Sequence, residues 1–176
     1  MNSVSKTFLL LGLTLLFFGS YLIFQRYSPK KLAFQNYKAE NTVLAKNAPN
    51  ILEIPSLNIY LPLIPSKINK NNWEATTLGV SYLASSPLPG EEGNSILYGH
   101  NWESLLGPLT KIKPGQEIKI SFRDNSAKTF VVKYTQVVTS DQTHILNQTK
   151  DKRITIYTCT GFLDLKRFAA VALLKT

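Results

Sequence analysis

Cysteine, histidine and acidic residues are scarce in this sequence of 176 residues. Because Cys159 is the single cysteine, no disulfide can form within the chain. One cysteine and two histidines are also too few for the four ligands that a structural zinc site usually takes. A lone thiol in an extracellular protein is typical of a reactive cysteine, although a buried and inert cysteine is a common alternative.

The acidic residues number 11 against 20 Lys and Arg, which gives a net charge of +9 at pH 7. This excess favours anionic surroundings such as nucleic acid, anionic lipid heads or an anionic cell wall. The basic residues form only short groups, at 30–31 and 150–153, and no nucleic-acid-binding motif accompanies them. We therefore predict no nucleic-acid partner and interpret the charge as a solvated basic surface.

Charge is absent from one long apolar run, residues 7–24. As a helix this run would be about 27 Å long, close to the hydrocarbon thickness of a bilayer. A cleaved signal peptide is the alternative, but the residues at 25–30 make a poor cleavage site. We predict a short tail at 1–6, a transmembrane anchor at 7–24, a stalk or linker at 25–48 and a catalytic domain at 49–176.

The domain at 49–176 has the pattern of a β-rich protein. Residues 117–123 alternate strictly between apolar and polar, and a turn at 124–126 leads into the β-branched run 128–138, which predicts a hairpin. Many short strands between Pro and Gly turns favour an all-β-dominated fold, a closed or nearly closed β-barrel with short helices. Further strands are expected at 51–54, 57–63, 95–98, 153–158 and 167–174, and a short helix at 102–109.

The segment that ends in the cysteine, residues 153–159 (RITIYTC), also alternates as a strand. Ile154 and Ile156 share one face, and Tyr157 and Cys159 share the other. If the isoleucines face the core, Cys159 points away from it, into a cleft or solvent. The alternation therefore argues against an inert core cysteine.

Two further side chains complete a set that can carry out cysteine acyl transfer. Arg167 begins the last strand candidate, after a loop short enough for antiparallel neighbours, and His100 follows an apolar strand and Gly99. A free thiol titrates at about 8.5, so it needs a proton acceptor to react at neutral pH. Histidine can accept and return that proton, and an arginine that stays charged can stabilise an oxyanion.

Several segments resemble those of one enzyme family, in the same order along the chain. Residues 155–159 (TIYTC) resemble the sortase signature Thr-Leu-x-Thr-Cys, and residues 94–100 (NSILYGH) resemble the segment that ends in the sortase catalytic histidine. The segments at 54–62, 86–94 and 109–118 also resemble sortase segments. The resemblance spans residues 51–174 and implies a sortase-like closed barrel of about eight strands, with the N-terminal transmembrane helix in addition.

The resemblance to sortases implies a cysteine transpeptidase that cleaves a sorting signal similar to Leu-Pro-x-Thr-Gly between Thr and Gly. Cys159 would form the thioester, His100 would transfer the protons, and Arg167 would hold the oxyanion. Lys166 leaves open which cation faces the thiol, although guanidinium geometry favours Arg167. The substrate-binding candidates are Thr158, Tyr157 and Tyr98.

The partners that the resemblance implies are surface proteins with a C-terminal sorting signal and an amine acceptor, either a peptidoglycan precursor or a pilin lysine. The implied location is the plasma membrane, crossed once by residues 7–24, with the domain on the extracytoplasmic side. The flanking charges conflict with this orientation, since Lys6 precedes the run and most basic residues follow it.

We predict no cofactor and no metal, and calcium activation is not supported because the acidic residues 91, 92, 141 and 151 are too scattered for a site. There is no obvious N-terminal lid over the peptide groove, which mildly disfavours the pilus-polymerising type. Two alternatives stay open: a non-catalytic sortase-like binding barrel and another surface cysteine peptidase.

Overall fold

The computed structural model describes residues 3–26, 28–35, 37, 47–69 and 72–176. Residues 1–2 of the predicted tail, and 27, 36 and 38–46 of the predicted stalk, lie outside the described residues. Helix α1 spans Ser3–Arg26, and its stretch Lys6–Gln25 is long and apolar enough to cross a membrane. The chain then makes short 3-10 helices at Pro29–Leu32, Pro55–Leu57, Gly107–Lys111, Thr143–Leu146 and Phe162–Asp164.

In the described part of the chain ten strands follow α1, and eight of them close into a barrel in the order β1-β2-β5-β6-β9-β10-β8-β7. Strands β3 and β4 pair only with each other among the described residues. The closed eight-stranded barrel confirms the predicted fold class. In chain order the strands are β1 Pro49–Ile54, β2 Ile59–Ser66, β3 Ile68–Asn69, β4 Asn72–Trp73, β5 Val80–Leu83, β6 Gly93–Gly99, β7 Glu117–Phe122, β8 Ala127–Thr139, β9 Lys152–Thr160 and β10 Lys166–Leu174.

The predicted hairpin is the antiparallel pair β7–β8, and the last strand, β10, lies between β9 and β8. The predicted helix at 102–109 is wrong, because the chain turns there and forms the 3-10 helix Gly107–Lys111. Gly107 approaches the backbone so closely that an added Cβ would lie 2.7 Å from the carbonyl oxygen of Trp102. Pro108 then removes a donor that a continuous helix would need.

The barrel wall divides the apolar residues into two clusters. Ile154 and Ile156 of β9 lie in the cluster that fills the barrel. Tyr157 and Cys159, on the opposite face of the same strand, lie in a second cluster outside the wall. The predicted alternation of β9 is therefore confirmed, but Cys159 does not open to solvent, because its side chain is 5% exposed.

Residues 28–35, here called the cover segment, bury Cys159 from the N-terminal side. Leu32 and Phe34 are 0% and 2% exposed and belong to the second cluster. Burying each of these side chains contributes about 1.5–3 kcal/mol, enough to hold a short segment against the barrel. The expectation that no N-terminal lid covers the groove is wrong. Two apolar residues in the polar stretch are sufficient to hold the cover segment on the barrel. The argument against the pilus-polymerising type therefore lapses.

Candidate active site

Strand pairing places Cys159 beside an arginine. In the antiparallel pair β9–β10, Cys159 and Arg167 are direct partners, so their side chains share one face of the sheet. Lys166 pairs with Thr160, points to the other face and is exposed. Arg167, which is 4% exposed, is thus the cation next to the thiol. The short interval between Cys159 and Arg167 is what brings the two residues into register.

His100 comes to the same place from the neighbouring strand. β6 runs parallel to β9 with Gly99 opposite Thr158, so His100 follows directly at the end where β9 reaches Cys159. The Thr158 hydroxyl donates a hydrogen bond of 2.8 Å to the Gly99 carbonyl. The imidazole stacks on Trp102, with centroids 4.6 Å apart and an interplanar angle of 11°. These contacts fix the position of His100, which is 4% exposed.

Asp164 is a site residue that the sequence did not reveal. It lies in the loop between β9 and β10, where Asn101 Nδ2 donates to its Oδ1 at 2.6 Å and Arg167 Nη1 donates to its carbonyl oxygen at 3.3 Å. Burial lowers the pKa of His100, and the Asp164 carboxylate opposes that change. In the sequence, Asp164 has the pattern of an ordinary turn residue.

Three consecutive carbonyl groups of the cover segment accept hydrogen bonds from the site. Cys159 Sγ donates to the Lys31 oxygen at 3.2 Å, and the Tyr157 hydroxyl donates to the Leu32 oxygen at 3.0 Å. Arg167 Nη2 donates to the Ala33 oxygen at 3.1 Å. The thiol, the phenol and the guanidinium thus contact the backbone of a peptide in consecutive register.

Burial under the cover segment keeps the thiol protonated. It raises the pKa of Cys159 to about 11, although Arg167 lowers this pKa and the Asp164 carboxylate raises it further. The Arg167 Nε is buried and has no hydrogen-bond partner among the described residues. The closed site therefore holds a neutral thiol and one donor of Arg167 that is not yet used.

Two of the three predicted substrate-binding residues, Tyr98 and Tyr157, lie below the cover segment. Tyr98 and Tyr157 stack with centroids 5.4 Å apart, and Phe34 of the cover segment meets Tyr157 edge-on at 5.1 Å. The Tyr98 hydroxyl donates to Ser66 Oγ at 2.9 Å. Roles for Tyr98, Tyr157 and Thr158 in substrate binding stay predictions. We call Trp73, Tyr98 and Tyr157 the aromatic floor.

Metal ligands do not gather at this site. Within the described ranges, no three His, Cys, Asp or Glu side chains are placed to hold a metal ion. The second histidine, His144, lies in the 3-10 helix Thr143–Leu146 and contacts Gln136 of β8 through Nε2 at 3.2 Å. His144 is exposed, so His100 is the histidine that the fold brings to the thiol.

Comparison with known proteins identifies the fold and the family. The family model described as "Sortase domain" matches residues 52–175. Sortase A of Listeria monocytogenes is 32% identical over 124 residues, which cover 68% of this chain and 53% of that protein. The chain thus spans about half the length of this curated relative.

Solved structures agree with this match. The structure of Listeria monocytogenes sortase A has a TM-score of 0.61 at 28% identity and covers 72% of this chain and 86% of its own. Two more distant structures are alike in fold: sortase A from Corynebacterium diphtheriae, lid mutant (TM-score 0.64, 21% identity, 81% and 74% covered), and Streptococcus agalactiae sortase C1 (0.65, 20%, 89% and 85%). The chain belongs to the sortase family, the cysteine transpeptidases of bacterial cell surfaces.

Proposed function

We propose that this protein is a membrane-anchored transpeptidase that cleaves an LPxTG-like sorting signal between Thr and Gly and passes the acyl group to an amine. The observation that carries the proposal is the contact between the cover segment and the site. A thiol and a guanidinium that bind backbone carbonyls two residues apart in the chain itself can bind those of a substrate peptide in the same way.

The chemistry follows from the three side chains. The Cys159 proton passes to neutral His100, and the sulfur attacks the Thr carbonyl carbon. Arg167 donates to the oxyanion of the tetrahedral intermediate, which collapses to a thioester as protonated His100 gives its proton to the departing Gly amine. The acceptor amine then attacks the thioester and loses a proton to His100, and the Cys159 sulfur leaves.

The partners and location belong to the same proposal. Residues 7–24 anchor the chain in the plasma membrane, and the domain works on the extracytoplasmic side, where surface proteins with a sorting signal arrive. The acceptor is an amine of a peptidoglycan precursor or a pilin lysine. The long apolar helix supports the anchor, and the sortase domain supports the cell-surface location.

Mass spectrometry of the full chain in detergent tests this function. The chain is incubated with a Leu-Pro-x-Thr-Gly peptide library and an amine nucleophile. We expect an acyl adduct on Cys159 that ends in Thr and is released as the amine-exchanged peptide. A folded chain whose thiol can be alkylated, but which gives no adduct with any library member, would instead favour a non-catalytic sortase-like binding barrel. Cleavage without amine exchange would favour another surface cysteine peptidase.

Exchange of the two neighbouring cations tests the oxyanion role. We expect Arg167→Lys to lose most of its transpeptidation rate, about 10²- to 10³-fold, because one ammonium cannot reproduce the fork of guanidinium donors. Lys166→Ala removes the exposed neighbour and should keep most of the rate. The measurement is the initial rate of amine exchange with the same peptide. The opposite ranking of the two variants would assign the oxyanion to Lys166.

A further inference from the structure

Three apolar side chains protrude beside the active site in the loop between β9 and β10. Phe162 is 82% exposed, Leu163 45% and Leu165 64%. Such large apolar side chains, close together in a five-residue loop, mark an interaction surface more often than isolated exposed residues do. We call these three residues the loop patch.

Leu163 of the loop patch lies against the end of α1. One cleft of about 400 Å³ lies between the helix and the loop. Lys31 Nζ of the cover segment donates to the Leu163 carbonyl oxygen at 2.5 Å, which ties the loop to the chain that leaves α1. The residues lining the cleft are Leu22, Ile23, Lys31, Gly161, Leu163 and Asp164.

The helix sets the depth of this loop. Leu22 and Ile23 fall in the last turn of the apolar stretch Lys6–Gln25, within about 5 Å of its end along the helix axis. A loop at their level therefore lies at the boundary between hydrocarbon and lipid headgroups when α1 spans a bilayer. Aromatic and aliphatic side chains favour that boundary, and the exposed Lys166 next to the loop favours anionic headgroups.

We infer that the loop patch inserts into the lipid surface in which α1 is anchored, so that the barrel has a second membrane contact. This inference rests on the anchoring part of the proposed function. It places the Cys159–Arg167 end of β9 and β10 at the headgroup level, where reactants that are themselves held in the membrane arrive. The occupant of the patch is thus a lipid surface that contains anionic headgroups.

Fluorescence of the full chain in nanodiscs tests the inference. The lipid is a mixture of phosphatidylcholine and phosphatidylglycerol, with or without brominated acyl chains, which quench tryptophan by contact. Phe162→Trp adds a tryptophan in the patch, and the emission of Trp73 and Trp102 is subtracted by means of the parent chain. Because Phe162 is largely exposed, the substitution should leave the fold intact.

Arg123→Trp is the matched control. Arg123 is exposed in the turn between β7 and β8. β10 runs from Lys166, beside the active site, to Leu174, which pairs with Phe130 near the start of β8, so this turn lies at the opposite end of the barrel. We expect brominated lipid to quench the Phe162→Trp emission at least about twofold more than the Arg123→Trp emission, as interfacial insertion requires. Equal quenching would overturn the inference.

A double variant separates lipid binding from peptide binding. Phe162→Ser with Leu165→Ser should weaken the contact between the loop and the bilayer. The measurement is the rate at which a protease cleaves the loop in nanodiscs, which should be higher for the double variant than for the parent chain. The same variant should form the Cys159 thioester with soluble peptide in detergent at the parent rate. A slower thioester with unchanged protection would assign the patch to the peptide and overturn the inference. A patch quenched by lipid in a chain that forms no thioester would leave the membrane contact standing while the proposed function fails.

Discussion

Replacement of Cys159 by Ala should abolish thioester formation and lower peptide turnover by at least about 10³-fold, while the barrel stays folded. No other thiol exists in the chain to take over the attack. The change removes one buried sulfur and its hydrogen bond to the Lys31 carbonyl, so the loss of stability should be small, about 1 kcal/mol. The measurement pairs amine-exchange rates with thermal melting followed by circular dichroism.

Thr160→Ala is the matched control for this variant. Thr160 is the next residue in β9, is half-buried and ends the strand. It should retain the parent rate and melting temperature within experimental error. Cleavage by Cys159→Ala at more than a trace of the parent rate would contradict the thioester mechanism, because that mechanism requires the sulfur that β9 holds beside Arg167.

Replacement of Phe34 by Ala should speed alkylation of Cys159 about 100-fold. Phe34 packs on Tyr157 and lies 5.9 Å below the guanidinium of Arg167, measured from the ring centroid. Truncation of a buried Phe costs about 3 kcal/mol, and each 1.36 kcal/mol is a tenfold change in an equilibrium. This free energy is lost from the docking of the cover segment. The fraction of molecules in which the segment is released and Cys159 can react therefore increases. Rates with iodoacetamide at fixed pH measure the change.

The pH profile of the same reaction gives an independent check. The neutral thiol donates to the Lys31 carbonyl, and burial raises its pKa to about 11. Because the folded pKa is the higher one, the thiol contributes its full stabilisation of the closed site below pH 9 and loses it as the pH rises through about 11. The alkylation rate of the parent chain should rise as the pH approaches 11, whereas the alkylation rate of Phe34→Ala should start to rise at a pH closer to 9. Tyr60→Ala, which truncates an exposed aromatic side chain, is the control and should change neither the alkylation rate nor its dependence on pH. If Phe34→Ala has the same pH dependence as the parent chain, the cover segment does not control the reactivity of the thiol.

The sequence predicts those strands in which apolar and polar residues alternate regularly. The alternation of β7 and β9 predicts these two strands and the face on which Cys159 lies, and the many short strands between Pro and Gly turns predict the barrel. β5 was not predicted, because its four residues are buried on both faces and show no alternation. The same limit applies to Asp164, since its proximity to His100 depends on the turn between β9 and β10 and on Asn101, and no pattern in the chain encodes that distance.

The cover segment was missed for a different reason. Leu32 and Phe34 stand in a polar stretch, where isolated apolar residues are normally of no consequence. Their burial depends on a complementary surface formed by Trp73, Tyr98 and Tyr157, which come from strands far apart in the chain. Only the assembled barrel creates that aromatic floor, so the docking partner of the segment cannot be read from the segment itself.

Docking of the cover segment also sets the length of free chain between the barrel and helix α1, the proposed membrane anchor. With the segment docked, only the few residues from the end of α1 to Lys31 separate the helix from the active site, about 20 Å of chain at full extension. With the segment released, the chain from 26 to 48 becomes available, about 80 Å at full extension. In the proposed transpeptidase, the closed state therefore has a covered thiol and a short reach. The open state has a reactive thiol and an about fourfold larger radius in which to meet a substrate.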